Sequence, residues 1–277
     1  MQFAGIALHT WTIDTTPLRH ALAAARDAGA DAVEIRNADF VRCRERGMSD
    51  TEIAGMIREA GLPVSAVGVE YGWLFAQGDE LRRLFDVFRR QCDNAVALGC
   101  GLVMSGVGPH DGPLIDGVSN MRTAGEIAGQ CGLRLTFEFM AQHPSINHAE
   151  IARELIARAR CPNVGLLLDT YHLHHSGRPG GAIDDIPGDE IFYVQFSDVP
   201  RDVAVGAVGA VGLTDRLAPG LGAVQWREFV AALKASGYRG YLSYEAPNPI
   251  HWDDDATLVA KRGIDAMRTF IAETARI

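Results

Sequence analysis

Short apolar runs recur along the chain, separated by longer stretches in which apolar positions return every three or four residues. The runs are Phe3 to His9, Asp31 to Arg36, Val64 to Glu70, Leu102 to Gly106, Leu133 to Met140, Val164 to Asp169, Ile191 to Ser197 and Gly240 to Glu245. Runs of this length read as strands. The intervening segments, such as "PLRHALAAARDAG", "SDTEIAGMIREAG" and "NHAEIARELIARA", have helical period. Ser49 and Asn147 are the expected N-caps of two of them, and Gly29 and Gly61 the expected stops. Eight strand–helix units in 277 residues fit an α/β (β/α)8 barrel better than an open doubly wound sheet. No G-x-G-x-x-G follows the first strand, which argues against a dinucleotide fold. The chain reads as one domain, 1–277, with long βα loops at 170–190 and 198–224.

The stretch "VGLLLDTYHLHH", Val164 to His175, runs through apolar and glycine positions and then delivers an aspartate, a tyrosine and three histidines. Groups so costly to bury need a reason at the tip of a buried strand. In a barrel, the ends of the strands face the loops that build the active site. Glu138 in "LTFEFM", Asp169 in "VGLLLD", Gln195 in "IFYVQFSD" and Glu245 in "GYLSYEAP" stand near the ends of the last four strands. Any one acidic residue there reads equally as a helix cap or salt-bridge partner, but four successive strands carrying an oxygen ligand do not. Three carboxylates in a low-dielectric mouth repel one another unless a cation neutralises them. The expected metal ligands are therefore Glu138, Asp169, Gln195 and Glu245. An all-oxygen set suits one divalent ion, Mn2+ or Mg2+ with Co2+ as a third choice. Asp198 competes with Gln195 for the seventh position, but strand alternation points the two in different directions, which favours Gln195.

Other residues are candidates by position. His9 ends the first strand, and Glu34 and Glu70 lie on the second and third, where pocket lining and a structural salt bridge compete. Trp11 and Trp73 offer an apolar wall to a pocket, with core packing as the alternative. His110 and His143 fall in βα loops, whereas His174 and His175 read as solvated or structural. The glycine-studded "VAVGAVGAVGL", Val203 to Leu213, carries no phosphate-cradling signature and reads as a lid segment.

Composition narrows the partners. A formal net charge of -9 and the absence of any Lys/Arg run argue against nucleic acid, leaving a small molecule as the expected ligand. Five scattered cysteines without a C-x-x-C read as reduced thiols, and no secretory signal or membrane span is evident, so a cytoplasmic location is expected.

The segments "FEF", "LLLDTYH", "FYVQFSDVPR", "LAPGLG" and "GYRGYLSYE", in that order, resemble the xylose isomerase-like superfamily of sugar isomerase and epimerase TIM barrels. The likeness covers nearly the whole chain and is strongest from Arg134 to Asn248. It implies one divalent metal on Glu138, Asp169, Gln195 and Glu245. It further implies that His172, three residues after the metal-binding Asp169, contacts substrate oxygens, and that Arg216, shortly before the "PG-x-G" turn, binds substrate. Gln195, where the ketose 3-epimerases usually carry histidine, looks more like the hydroxypyruvate isomerase and 3-dehydroshikimate dehydratase branches. "DDIPGDEIFYVQFSDVPR" looks most like the dehydratase branch.

The chemistry follows from the constellation. A metal chelated by a carbonyl and a neighbouring hydroxyl stabilises the enediolate left when an α-proton departs. Glu138 and Glu245 can take and return that proton, and His172 can polarise or protonate an oxygen. Return to the same carbon epimerises, return to the neighbouring carbon isomerises, and loss of a β-hydroxyl dehydrates. The expected activity is a metal-dependent isomerase or epimerase of a small sugar or keto-sugar, with a 3-dehydroshikimate- or inosose-type dehydratase as the alternative. Catalysis is expected from Glu138, Glu245 and His172, and substrate binding from Arg216, His9, Glu70 and Trp73. The expected partner is a carbohydrate or cyclitol-like molecule, with neither nucleic acid nor membrane; a homo-oligomer stays open.

Overall fold

The computed structural model describes residues 3–178, 182–206 and 212–275. Its strands are β1 (Gly5–His9), β2 (Ala32–Ile35), β3 (Val64–Gly68), β4 (Leu102–Gly106), β5 (Arg134–Glu138), β6 (Val164–Asp169), β7 (Ile191–Phe196) and β8 (Tyr241–Tyr244). They pair in sequence order, all parallel, and β8 closes onto β1 through Gly5 opposite Tyr241 and Leu8 opposite Tyr244. The result is a (β/α)8 barrel, and each strand falls within one of the eight apolar runs.

The strands read as near-continuous apolar runs because helices cover their outer faces. These are α1 (Leu18–Asp27), α2 (Asn37–Glu45), α3 (Asp50–Glu59), α4 (Gly78–Ala97), α5 (Leu114–Gln130), α6 (Ala149–Ala159), α7 (Thr170–His175), α8 (Trp226–Ala235) and α9 (Ala256–Glu273). In α1 the buried positions Leu18, Ala21, Leu22 and Ala25 recur at helical spacing, so one stripe faces the barrel. A fully buried residue such as Leu22 or Ile57 contributes roughly 1.5–3 kcal/mol.

Local signals explain where the helices begin and end. Ser49 caps α3 in a reciprocal pair with Glu52, whose backbone N–H donates to the serine oxygen while its carboxylate accepts from the Ser49 N–H. Gly29 and Gly61 follow α1 and α3 with φ of +80° and +74°, a conformation glycine adopts without penalty. The expected cap at Asn147 is displaced by one residue. His148 holds the extended N-cap backbone of α6, and the Asn147 carboxamide faces the His148 ring instead.

Two junctions set the shape of the mouth. At Gly263 a Cβ would stand 2.2 Å from the Tyr244 ring, so α9 lies directly against β8. After β7, Asp198 gathers the N–H groups of Val199, Gly220 and Val224 and the indole N–H of Trp226, at 2.8 to 3.0 Å. A Cβ at Gly222 would sit 2.0 Å from the Val199 carbonyl oxygen, which explains the last glycine of "PGLG". Asp198 therefore folds the loop that carries Arg216.

Candidate active site

Inside the barrel, strand alternation turns polar side chains toward the axis at the C-terminal ends. Asp169 and Gln195 are direct register partners on β6 and β7, and Gln195 is the partner of Ser243 on β8. Glu245 follows two residues later, and Glu138 ends β5 opposite Leu167. Glu138, Asp169, Gln195 and Glu245 are all buried.

Asp169 has two jobs. Its Oδ1 accepts the Tyr171 N–H at 2.9 Å and caps α7, while Oδ2 accepts from Arg216 Nη1 at 2.7 Å. The same Nη1 donates to Glu245 Oε2 at 2.9 Å, so one guanidinium nitrogen joins the ends of β6 and β8. Arg216 stacks over the Tyr171 ring at 4.4 Å, and its carbonyl accepts from Asn248 Nδ2. Glu138, Asp169 and His172 bring three potential ligand atoms within 4.8 Å of one another.

Both histidines of the mouth have fixed tautomers. His172 Nδ1 accepts the Ala141 N–H at 3.2 Å and His9 Nδ1 accepts the Trp11 N–H at 3.1 Å, so each neutral ring carries its proton on Nε2. His172 Nε2 lies 3.6 Å from Glu138 Oε1, and His9 Nε2 lies 3.4 Å from Glu245 Oε1. Burial, with Arg216 adding to it in both cases, holds the two imidazoles well below their usual pKa and keeps them neutral.

Burial likewise pushes Glu138 well above the carboxylate range, with Glu245 and Asp169 adding to it. Burial raises Glu245 to about 7 against the opposing pull of Arg216. Burial and then Glu245 raise Glu34 in the same direction. The mouth thus holds more carboxylate than its one buried arginine neutralises.

The donor set fits a divalent cation. Glu138 Oε1 and Gln195 Oε1 are buried oxygens without a hydrogen-bond partner among the described residues, beside two further carboxylates. His172 fits less well as a ligand, because its Nε2 carries the proton; it serves as a donor toward an oxygen.

The remaining candidates divide. His9 faces the mouth, as does Trp11, whose ring lies 5.9 Å from the Arg216 guanidinium. Trp73 does not form a pocket wall. Its indole is fully buried against Phe85, Phe88 and Phe137 and donates to Ser105 Oγ at 2.8 Å, because the chain after β3 turns it toward α4. Glu70 lies beyond the end of β3, half-buried and paired with Arg83 of α4 at 2.5 Å, which makes it a salt-bridge partner. His143 ties its own loop together, accepting from Ser145 and Ile146 N–H groups and meeting the His110 carbonyl. His174 and His175, expected to be solvated or structural, form the last turn of α7 and are buried there, so neither is solvated. The lid expected at Val203 to Leu213 falls partly on 207–211, outside the described residues.

Two residues at the mouth escaped the sequence reading. Arg36, at the end of β2, is held by Asp14 at 2.6 Å and Asp39 at 2.9 Å, and its charge reaches His9 and Glu245. The Tyr71 phenol is pushed well up by burial and then by Glu138, Glu245 and Glu34. Arg36 closes the second apolar run with a charge, the one signal that could have marked it.

The chain belongs to the xylose isomerase-like TIM barrel family, whose model matches residues 22–270. It is 32% identical over 231 residues to a 3-dehydroshikimate dehydratase of Pseudomonas putida, a match that covers 82% of this chain and 35% of that protein. It is 30% identical over 142 residues to an inosose isomerase of Bacillus subtilis, covering 50% of this chain and 49% of that one. The solved structure of the IolI protein with a bound zinc atom superposes with a TM-score of 0.85 at 20% identity, over 98% of this chain and 99% of that one, a likeness of fold. The relatives in sequence are enzymes. Among the described residues, no helix is long and apolar enough to cross a membrane.

Proposed function

We propose that the mouth is a metal-dependent active site that removes a proton α to a ketone, and that its outcome is dehydration of a 3-dehydroshikimate-like ring. The observation that carries the first step is the buried group Glu138, Asp169 and His172, with Glu245 joined to Asp169 through Arg216 and Gln195 Oε1 unpartnered among the described residues. Glu138, Asp169, Gln195 and Glu245 would hold the ion. What a divalent ion supplies in such a place is Lewis acidity toward the ketone oxygen.

The chain's own groups do the rest. Glu138 or Glu245, each with raised proton affinity, takes the α-proton. The enolate electrons expel the hydroxyl β to the ketone, which takes the proton back from the glutamic acid and leaves as water, while His172 Nε2–H, fixed as a donor by Ala141, hydrogen-bonds the departing oxygen. Tautomerisation of the remaining ring yields an aromatic diol, protocatechuate in the case of 3-dehydroshikimate. Arg216 Nε, buried and without a hydrogen-bond partner among the described residues, leaves one donor for a substrate oxygen. The 32% identity to a dehydratase across most of the chain moves dehydration ahead of the isomerase expectation.

Isomerisation or epimerisation of a sugar or cyclitol is the second reading. Its support is the pair of carboxylates, Glu138 and Glu245, both pushed up by burial, together with the inosose isomerase relative. Incubating the Mn2+-loaded protein with 3-dehydroshikimate, hydroxypyruvate and a panel of ketoses and inososes in D2O separates the readings. Protocatechuate absorbance growing faster than turnover of every sugar supports dehydration. Deuterium in an isomeric product without loss of water, and no protocatechuate, overturns it in favour of the isomerase.

A further inference from the structure

The side chain of Gln195 is held from behind by a residue on the far side of the barrel. Its Nε2 donates to Glu34 Oε1 at 2.9 Å, joining β7 to β2 across the interior. Both side chains are buried, Glu34 1% exposed and Gln195 not at all. The hydroxyls of Ser243 and Tyr193 also act on the Glu34 carboxyl, and His9 Nε2 stands at 3.8 Å, too long for a hydrogen bond. With Nε2 committed to Glu34, Gln195 Oε1 is turned the other way, buried and without a partner among the described residues.

A carboxamide is ambiguous by itself, because rotation by half a turn exchanges its ligand oxygen for an amide nitrogen that cannot bind a cation. A carboxylate or carbonyl acceptor removes the ambiguity. Metal-bound histidines are oriented in the same way, their outer ring N–H donating to a carboxylate. We infer that Glu34 is a positioning residue that fixes Gln195 with its oxygen toward the cation, and that the pair Glu34–Gln195 works as one unit. This inference rests on the metal site proposed above.

The role needs an acceptor at position 34 that offers no competing donor. Glu34→Met keeps the length and burial but removes that acceptor. Mn2+ affinity, measured by calorimetry on protein stripped with chelator, reads the difference without reference to activity. Loss of an outer partner of this kind weakens metal affinity by about 10- to 100-fold, and that loss is expected for Glu34→Met. Gln195→Leu should show a comparable loss, and adding Glu34→Met to it should cost nothing more, since the first acts only through the second.

Unchanged Mn2+ affinity in Glu34→Met, or losses that add in the double variant, overturns the inference while leaving the metal site standing. Failure of the parent protein to bind Mn2+ overturns the metal site and the inference with it. If Glu34→Met does not fold, as judged by circular dichroism in chelator, Glu34→Asp serves in its place. It withdraws the acceptor by one methylene and should show the same weakening; parent-like affinity there overturns the inference.

Discussion

Replacing Arg216 by methionine tests whether the mouth is built to be neutralised by a cation. In the metal-free protein the guanidinium is the only charge of opposite sign in direct contact with Asp169 and Glu245, at 2.7 and 2.9 Å, among the described residues. All three groups are buried. Removing one partner of a buried ion pair costs about 3–5 kcal/mol, because the others are left without compensation. At roughly 2–4 °C per kcal/mol for a chain of this size, Arg216→Met should lower the unfolding midpoint by about 6–20 °C in chelator. With Mn2+ in excess the carboxylates regain an opposite charge. The remaining deficit is then mainly the lost stacking on Tyr171, about 0.5–2 kcal/mol. The assay is urea denaturation of parent and variant, each in chelator and in Mn2+, with the difference between proteins compared across the two conditions. A loss of the same size in both conditions, or one below about 1 kcal/mol in chelator, would refute the reasoning.

Three further outcomes follow from the same site. Stripping the protein with a strong chelator should abolish turnover and Mn2+, Co2+ or Mg2+ should restore it; full activity in a preparation shown metal-free by elemental analysis contradicts this. Glu245→Gln should keep the circular dichroism spectrum and lose roughly 10²- to 10⁴-fold in kcat/KM, the range for a general base; parent-like turnover excludes it from that role. The pH dependence has a definite sign. Glu245 rises in the fold from 4.5 to about 7 through burial, so its contribution to stability is fully present below about 4.5 and is lost as pH rises through 7. Between pH 6 and 8 the metal-free protein should lose stability, measured as a falling urea midpoint, and a rising midpoint would contradict the assignment.

The sequence made the strands plain because each is an apolar run bounded by turn residues, and the covering helices because their apolar positions recur at three and four. That Glu138, Asp169, Gln195 and Glu245 stand at the ends of neighbouring strands was legible for a related reason. The fold places strand ends together, so an acid or amide that breaks an apolar run is conspicuous. Side-chain direction beyond a strand end was not legible. Trp73 beside Gly72 looked equally able to face a pocket or the helix layer, and only the path of the chain sends it to Phe88. Arg216 was found from its turn, but its grip on Asp169 and Glu245 depends on a loop folded around Asp198, whose four donors come from residues up to 28 positions away. Glu34 was visible as an acid in an apolar strand, yet its partner is 161 residues further along.

The mouth divides by sequence as well as by space. Glu138, Asp169, Gln195 and Glu245 all come from β5 to β8 or just beyond, while His9, Trp11, Glu34, Arg36 and Tyr71 come from β1 to β3 and the loops that follow them. Substitutions in the first half therefore reach one wall of the mouth without touching the four proposed ligands, while His172 and Arg216 keep part of the opposite wall in the second half. The two walls meet where Gln195 donates to Glu34 and where His9 lies against Glu245, so a change at one of these positions is felt at its partner across the barrel.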